Sequence, residues 1–421
     1  MKLSNQIRML LILWNFYDKD MPSWPEIMGI YGINLPKRGY KIHWIMPYKI
    51  GIFNKIEVKH FRNVKIYLIP FTKNPYFLIK TFSYMVYTLR LTLFLLKSVS
   101  KKKYDLIQVR DDAIAGFISI IMKFIYKIKF SFNYSFPFYQ ADLEAYENGI
   151  VSLSSLVYRK IMDIIIIKFV LRHADLIFPI SQEMITSLEK KGIDKNKMYP
   201  IHLGIDLDIF MVENEKKSNF FRKISIDNDE FVYIYVGAIT HIRGLHIIIK
   251  AFEILLNNVN KAKLLFIGDG DALNHLKRLS KDLGLEENIF FTGKVSYWDV
   301  PSYIDLADVG LSLFFPRKSY YVSSPNKLYE YFAIKKPVIA NIEIPEHERI
   351  IKKSQGGVLT EYKEDEIAEA MLYMIKYKEK LHSMGEKGYK WVKENRTFKQ
   401  MAEKLENIYF KLLNSEYSHQ D

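Results

Sequence analysis

The chain has no cysteine among its 421 residues. That absence excludes a disulfide framework, a thiolate zinc site and a cysteine nucleophile, and it fits a reducing compartment. Neither half carries a Gly-x-Gly-x-x-Gly stretch, so a dinucleotide-dependent dehydrogenase loses its main support. No long apolar run is free of charge. The most lipid-like segment, Tyr76–Leu96, is interrupted by Lys80 and Arg90. Those charges argue against spanning a bilayer and leave two readings, a helix lying in the membrane interface or a buried helix of the first domain. The short apolar run at the start is followed by charges with no small-residue cleavage site, so no secretory signal is read there.

Acidic residues are scarce in one half only. Residues 1–200 carry 15 Asp+Glu against 30 Lys+Arg, whereas residues 201–421 carry 32 against 31. The first half therefore faces something anionic, whether nucleic acid, an acidic acceptor or the anionic leaflet of a membrane, unless a coding bias toward Lys accounts for the excess. No recognised nucleic-acid motif accompanies the charge, so nucleic acid is not expected as a partner.

What is present is an ordinary globular composition, 49% hydrophobic and 26% charged, in a chain longer than one hydrophobic core sustains. Two domains follow. Ile7–Phe16 reads as a strand buried on both faces. Ser23-Trp24-Pro25-Glu26 has capping-box spacing, Gly39 ends the helix it opens, and Lys41–Met46 reads as the next strand. Further strands are expected at Lys65–Ile69, Asp105–Val109, Lys129–Asn133 and Leu176–Ile180. A polar linker is read at Glu213–Glu230. Beyond it the alternation restarts, with strands at Phe231–Val236, Lys263–Ile267, Ile289–Thr292, Val309–Phe314 and Pro337–Ala340 and helices between them. This is α/β, two Rossmann-like domains in tandem. Amphipathic helices follow from about Asp365, and Ser415–Asp421 is expected to fray.

Four segments of the second half stand where open α/β sheets bind ligands, at predicted strand ends. Gly237 through Arg243-Gly244 is either a phosphate loop or a tight turn with a solvent-facing Arg. Gly268-Asp269-Gly270 lets the backbone approach a ligand, or turns sharply into a helix capped by Asp271. Thr292-Gly293-Lys294-Val295 is a third strand end with a glycine, either a ligand-binding loop or, by default, a simple turn. In Ser324-Pro325-Asn326-Lys327-Leu328-Tyr329-Glu330, Lys327 and Glu330 share one helix face. They serve either as a grip on a nucleotide diphosphate or as a surface ion pair.

In this order the four segments, with Ile180–Asp208 before the linker, resemble the donor half of glycosyltransferase family 4, also called glycosyl transferases group 1. The likeness is close over most of residues 175–345 and only in outline over the first 110. It implies the GT-B fold, α/β with two Rossmann-like domains whose parallel sheets face across a cleft. It also implies a nucleotide-diphosphate sugar as donor substrate, retention of anomeric configuration, and no obligatory cofactor or metal. The expected division is 1–205 for the acceptor, 206–395 for the donor, and 396–421 as a helix packing back toward the first domain.

The resemblance assigns Arg243 to the donor diphosphate, Glu330 to the ribose as the second acid of the family's paired-Glu motif, and the Gly293–Val295 loop to the base. Ser323 stands where the motif's first Glu is expected, and Ala238 replaces a second basic residue. Lys327 is therefore expected to supply the second positive charge, with Ser323 or the backbone N–H groups of Ser323–Pro325 meeting the sugar. Arg243, Lys327 and Glu330 form the expected catalytic set. Gly237, Gly268, Gly270, Gly293, Val295, Ser323, Pro325 and Asn326 complete the donor site. In the first half, Asp18–Trp24 lacks the family's glycines and Tyr134–Pro137 lacks its His. Asp111, Asp112 and Asp142 are named for the acceptor, each also readable as a solvated loop acid. The implied activity is retaining glycosyl transfer to a glycan or lipid-linked acceptor, in the cytoplasm at the inner face of the membrane. The alternative is a non-catalytic relative that binds nucleotide-sugar or glycan.

Overall fold

The computed structural model describes residues 7–49, 51, 54–72, 77–101, 103–210, 226–227 and 229–414. Most of the linker read at Glu213–Glu230, and Ser415–Asp421, lie outside them. The chain divides into two compact units, residues 1–202 with 398–421, and residues 203–397.

Among the described residues the first unit is built on seven strands: β1 Arg8–Leu13, β2 Lys41–Lys49, β3 Glu57–Phe61, β4 Val64–Phe71, β5 Leu106–Arg110, β6 Lys129–Tyr134 and β7 Leu176–Pro179. Their order is β3-β4-β2-β1-β5-β6-β7, and all are parallel except β3, which pairs antiparallel with β4. After Arg8 the strand β1 is an apolar run, Met9–Leu13, fully buried as a parallel strand covered on both faces is. It pairs β2 on one side and β5 on the other, so the strand order reverses between β1 and β5.

The expected strand Ile7–Phe16 stops at Leu13. Trp14 leaves the sheet and meets Phe71, Tyr84 and Tyr87 edge-on at 5.2–5.6 Å. The expected capping box does not form. Ser23 Oγ instead donates to Asn15 Oδ1, and the Glu26 carboxylate accepts from buried Arg110 at 2.7 Å. β3 was not expected; Glu57-Val58-Lys59-His60-Phe61 is a charged edge strand without apolar alternation.

Helix Phe398–Asn414 packs inside this unit against the helical segment Ile27–Asn34. Gly29 allows the approach, since a Cβ there would lie 2.0 Å from the Phe398 ring. Tyr409 and Tyr31 both meet Gln108, buried in β5, which anchors the C-terminal helix to the sheet.

Among its described residues the second unit carries six parallel strands: β8 Phe231–Val236, β9 Ala262–Ile267, β10 Ile289–Gly293, β11 Val309–Ser312, β12 Val338–Asn341 and β13 Gly357–Thr360. The order β10-β9-β8-β11-β12-β13 reverses between β8 and β11. In an open α/β sheet the loops beyond such a reversal leave a crevice at the carboxyl ends of the strands. Each unit has one.

Candidate functional site

The reversal in the second unit is bounded by the loop after β8 and by helix Asn326–Ala333. Three loops are laced together there. Gly237 N–H donates to Ile267 O at 2.8 Å, Ile239 N–H to Asp269 O at 2.9 Å, and Gly268 N–H to Gly293 O at 3.0 Å. Two glycines are obligatory for this. Gly237 has φ +137° and a Cβ on it would stand 2.6 Å from Lys327 Cε; Gly268 has φ +144° and its Cβ would meet Gly237 O at 1.9 Å. The same lacing brings in Gly270 and Gly293, while Val295 packs partly buried against the unit's core.

Lys327 is the second residue of its helix and is buried. Its Nζ donates to Tyr235 Oη at 2.7 Å and lies 4.0 Å from the centroid of the Tyr235 ring and 4.8 Å from that of Phe314. Arg243 closes the turn after β8 and donates from Nη1 to the same Tyr235 Oη at 3.3 Å. Its loop is held from behind by Tyr362, whose hydroxyl donates to Gly244 O at 2.7 Å. Two cations thus share one neutral phenol. Burial, reinforced by Arg243, pushes the Lys327 pKa well below its ordinary value, and Glu330 opposes the shift. Burial raises the Glu330 carboxyl to about 7, with Lys327 pulling the other way. A pair of desolvated cations with a half-neutralised acid for company is an arrangement that an anion completes.

Behind it, Ser324 Oγ contacts Tyr329 Oη at 3.1 Å, Tyr329 Oη donates to Glu346 at 2.7 Å, and Arg396 pairs with Glu346 at 3.6 Å. This fixes the turn that starts the helix. Burial lowers His347 to about 4, so the ring is neutral; Nδ1 donates to Asn341 O and Nε2 accepts from Ser312 Oγ. His347 stacks on Phe314 and holds it under Lys327.

Ser323 is engaged locally, its N–H and Oγ both donating to Tyr320 O, and Pro325 has no N–H. Of the donors expected at Ser323–Pro325, those of Ser323 are thus turned to the local backbone. Seven intervening residues also place the motif's first acid at Val322, one before Ser323, and neither is an acid. Sequence reasoning missed Tyr235, Phe314, His347 and Arg317. The Arg317 Nε and Nη1, like Asn326 Oδ1, are buried without a hydrogen-bond partner. Tyr235 gave no signal inside the apolar run of β8. Arg317 had one, a basic residue just beyond a strand end.

The reversal in the first unit opens into a cavity lined by Trp14, Tyr84, Asp111, Asp112, Tyr134 and Asp163, among others. Asp111 follows β5 in a left-handed conformation, φ +56°, held by the N–H and hydroxyl of Ser135. Asp112 caps helix Ala113–Tyr126, accepting from Ile114 and Ala115 N–H at 3.0 Å, and burial raises its carboxyl to about 6. Asp142 does not line the cavity; it pairs with Arg159, which does, at 3.0 Å. Among the described residues no group of three or more His, Asp or Glu is placed to hold a metal.

Residues 216–391 match the family model of glycosyl transferases group 1, and residues 32–209 that of glycosyltransferase family 4. An uncharacterized glycosyltransferase of Methanocaldococcus jannaschii is 30% identical over 49% of this chain and 49% of its own length. The alpha-monoglucosyldiacylglycerol synthase of Streptococcus pneumoniae is 27% identical over 46% of this chain and 44% of its own. The chain thus spans about half the length of these relatives. Among solved structures, Anabaena HepE in complex with UDP and glucose has a TM-score of 0.68 at 16% identity, covering 96% of this chain and 100% of the other. Consecutive halves match two models of one family and the fold is that family's, so the protein belongs to the family 4, group 1 glycosyltransferases of GT-B fold.

Proposed function

We propose that the protein is a retaining glycosyltransferase that takes a sugar from a nucleotide-diphosphate sugar held by the second unit and passes it to an acceptor bound by the first. The observation that carries this reading is the convergence of Arg243 and Lys327 on Tyr235 Oη at the strand reversal, with Glu330 one helical turn beyond Lys327. The diphosphate lies against the two cations and the first-turn N–H groups of helix Asn326–Ala333. Glu330 accepts from the ribose hydroxyls. The glycine loops carry the base, and Asn326 Oδ1 and the Arg317 Nε and Nη1, buried atoms without hydrogen-bond partners, gain them from the donor. HepE, crystallised with UDP, supports this assignment.

In the reaction the bond from the anomeric carbon to the diphosphate oxygen breaks and a bond to the acceptor oxygen forms on the same face. Negative charge grows on the leaving diphosphate, where Arg243 and Lys327 stabilise it. The acceptor's proton passes to the departing phosphate oxygen, so retention needs no dedicated base. Asp111 and Asp112 orient the acceptor hydroxyl in the first unit's cavity, and Asp142 acts through Arg159. No resident metal or cofactor is required, and nucleic acid is not a substrate.

The acceptor is a glycan or a lipid-linked molecule met at the anionic inner face of a membrane, where the protein works peripherally. The positive balance of residues 1–200 and the lipid-based product named for the Streptococcus relative support this. No helix among the described residues is long and apolar enough to cross a membrane. A thermal-shift screen of nucleotide diphosphates and their sugars tests the donor reading. A rise in midpoint with one nucleotide, lost in Arg243→Ala, is expected, and no rise with any of them defeats it. Transfer with one acceptor at a membrane surface would separate the enzyme from a relative that only binds.

A further inference from the structure

Three helical segments of the first unit form one layer: Phe77–Val99, Ala113–Tyr126 and Leu153–Ile165 continuing to His173. The second packs against both of the others. A surface helix of a globular unit turns one apolar stripe inward and a polar face outward. These three are apolar on both sides.

In Phe77–Val99, Tyr87, Leu91 and Leu95 are buried, as the inward stripe requires. On the opposite side Phe82, Met85, Leu89 and Leu93 repeat at three- and four-residue spacing, and each is 49–63% exposed. Ala113–Tyr126 adds Phe117, Ile121, Phe124 and Ile125, with Phe124 63% exposed. Leu153–Ile165 adds Leu153, Val157, Ile161 and Ile164, all exposed. Among the described residues of the second unit nothing comparable is found, and exposed large apolar residues such as Trp298, Ile342 and Tyr373 lie on separate elements. A contiguous apolar face assembled from three helices marks an interaction surface.

The charges that accompany it identify the partner. Phe77–Val99 and Ala113–Tyr126 contain no Asp or Glu, and Leu153–His173 contains only Asp163, which is spent on Tyr134 inside the cavity. Lys97, Lys160, Lys168 and Arg172 are exposed on the same segments. Apolar side chains flanked by cations with no outward acid match the acyl boundary and anionic headgroups of a bilayer. A second copy of the chain is a poor match, since an isologous contact would bring like-charged flanks together. The face also adjoins the acceptor cavity. Tyr84, Tyr158 and Arg159 belong to the same helices and line it, and Tyr158 is itself exposed.

We propose that this three-helix face is a membrane-docking plate. Its exposed apolar residues insert at the headgroup boundary of an anionic bilayer, and the first unit's cavity is thereby presented to a lipid-borne acceptor. The inference rests on the membrane-face reading above and names the surface that realises it.

The full chain is floated with vesicles of phosphatidylcholine alone and of phosphatidylcholine with phosphatidylglycerol. Binding to the anionic vesicles, weakened as salt is raised, is expected. The triple variant Leu89→Ser, Phe124→Ser, Ile161→Ser, confined to exposed positions, should lose about tenfold or more of that binding. Lys97→Glu, Lys160→Glu, Lys168→Glu should lose the preference for anionic vesicles. Both should keep the wild-type thermal shift with nucleotide diphosphates, which shows that they fold. Unchanged vesicle binding in the serine variant overturns the proposal. So does a wild-type chain that ignores vesicles and forms a dimer that the serine variant disperses. Vesicle binding lost in the variants, in a chain that no nucleotide shifts, upholds the plate and defeats the donor reading instead.

Discussion

The two strand reversals in this protein share a topology and differ in chemistry. In both units the sheet order turns between the first strand of the unit and a later neighbour, β1 with β5 and β8 with β11, and in both the side chains beyond those strands line the crevice. The second unit fills its crevice with Arg243 and Lys327, two cations sharing a neutral phenol. The first fills its own with Asp111, Asp112 and Asp163 among tyrosines, its one lining cation, Arg159, being paired with Asp142. Topology fixes where a ligand sits, and the few side chains at the strand ends fix its charge. One crevice suits a polyanion, the other a neutral polyol whose hydroxyls donate to carboxylates.

Replacing the buried cation breaks this contrast most directly. Lys327→Met keeps the bulk against Tyr235 and Phe314 but removes the charge. Affinity for the nucleotide diphosphate that shifts the wild type should fall by roughly 10²-fold or more by calorimetry, because a desolvated charge contact is lost. The free protein should be no less stable, since the ammonium is buried beside another cation. Unaltered nucleotide affinity would move the donor away from the second unit.

The carboxylate crevice predicts a smaller and differently placed effect. Asp112→Asn retains an oxygen to cap helix Ala113–Tyr126, so folding should be preserved. Turnover should drop by about tenfold, with nucleotide affinity within twofold of wild type. If nucleotide affinity fell as well, the division of labour between the two units would be wrong.

Much of this contrast was legible beforehand on one side only. Long apolar strands bounded by glycines are read easily, because a parallel strand buried on both faces leaves no other pattern; β8 and β9 were placed within a residue. Two of the four edge strands are not, since β3 is charged and β13 only half-buried, whereas β7 and β10 at the other edges keep an apolar run. Arg243, Lys327 and Glu330 were named from spacing and resemblance, but their common partner Tyr235 sits inside an apolar run and announces itself only when the helix folds over it. The apolar outer face of Phe77–Val99 was visible as a lipid-like stretch. That two further helices continue it is a tertiary fact, because Phe117 and Phe169, whose rings lie 6.2 Å apart, meet only in the fold.

The pH dependence of stability gives the finest test of the donor crevice, through two opposed trends. Glu330 has a folded pKa of about 7, above its unfolded value, so the native state binds the extra proton between about pH 4.5 and 7 and its stability falls across that window. Lys327 has a folded pKa far below its unfolded value, so the unfolded state binds the extra proton and stability rises with pH until about 10. In wild type the two slopes oppose each other wherever their windows overlap. Glu330→Gln removes the falling one, and its thermal midpoint should gain on wild type as pH rises from 5 to 8. Lys327→Met removes the rising one and should gain most at the acid end. The Glu330 differential is on the order of 1 kcal/mol, because Glu330 is partly exposed and Lys327 and Glu330 relieve each other. Saturating nucleotide diphosphate should shrink the Lys327→Met gain at low pH, since the anion stabilises the charged ammonium that the free crevice disfavours. A gain that stays the same with and without nucleotide would mean that the diphosphate does not reach Lys327.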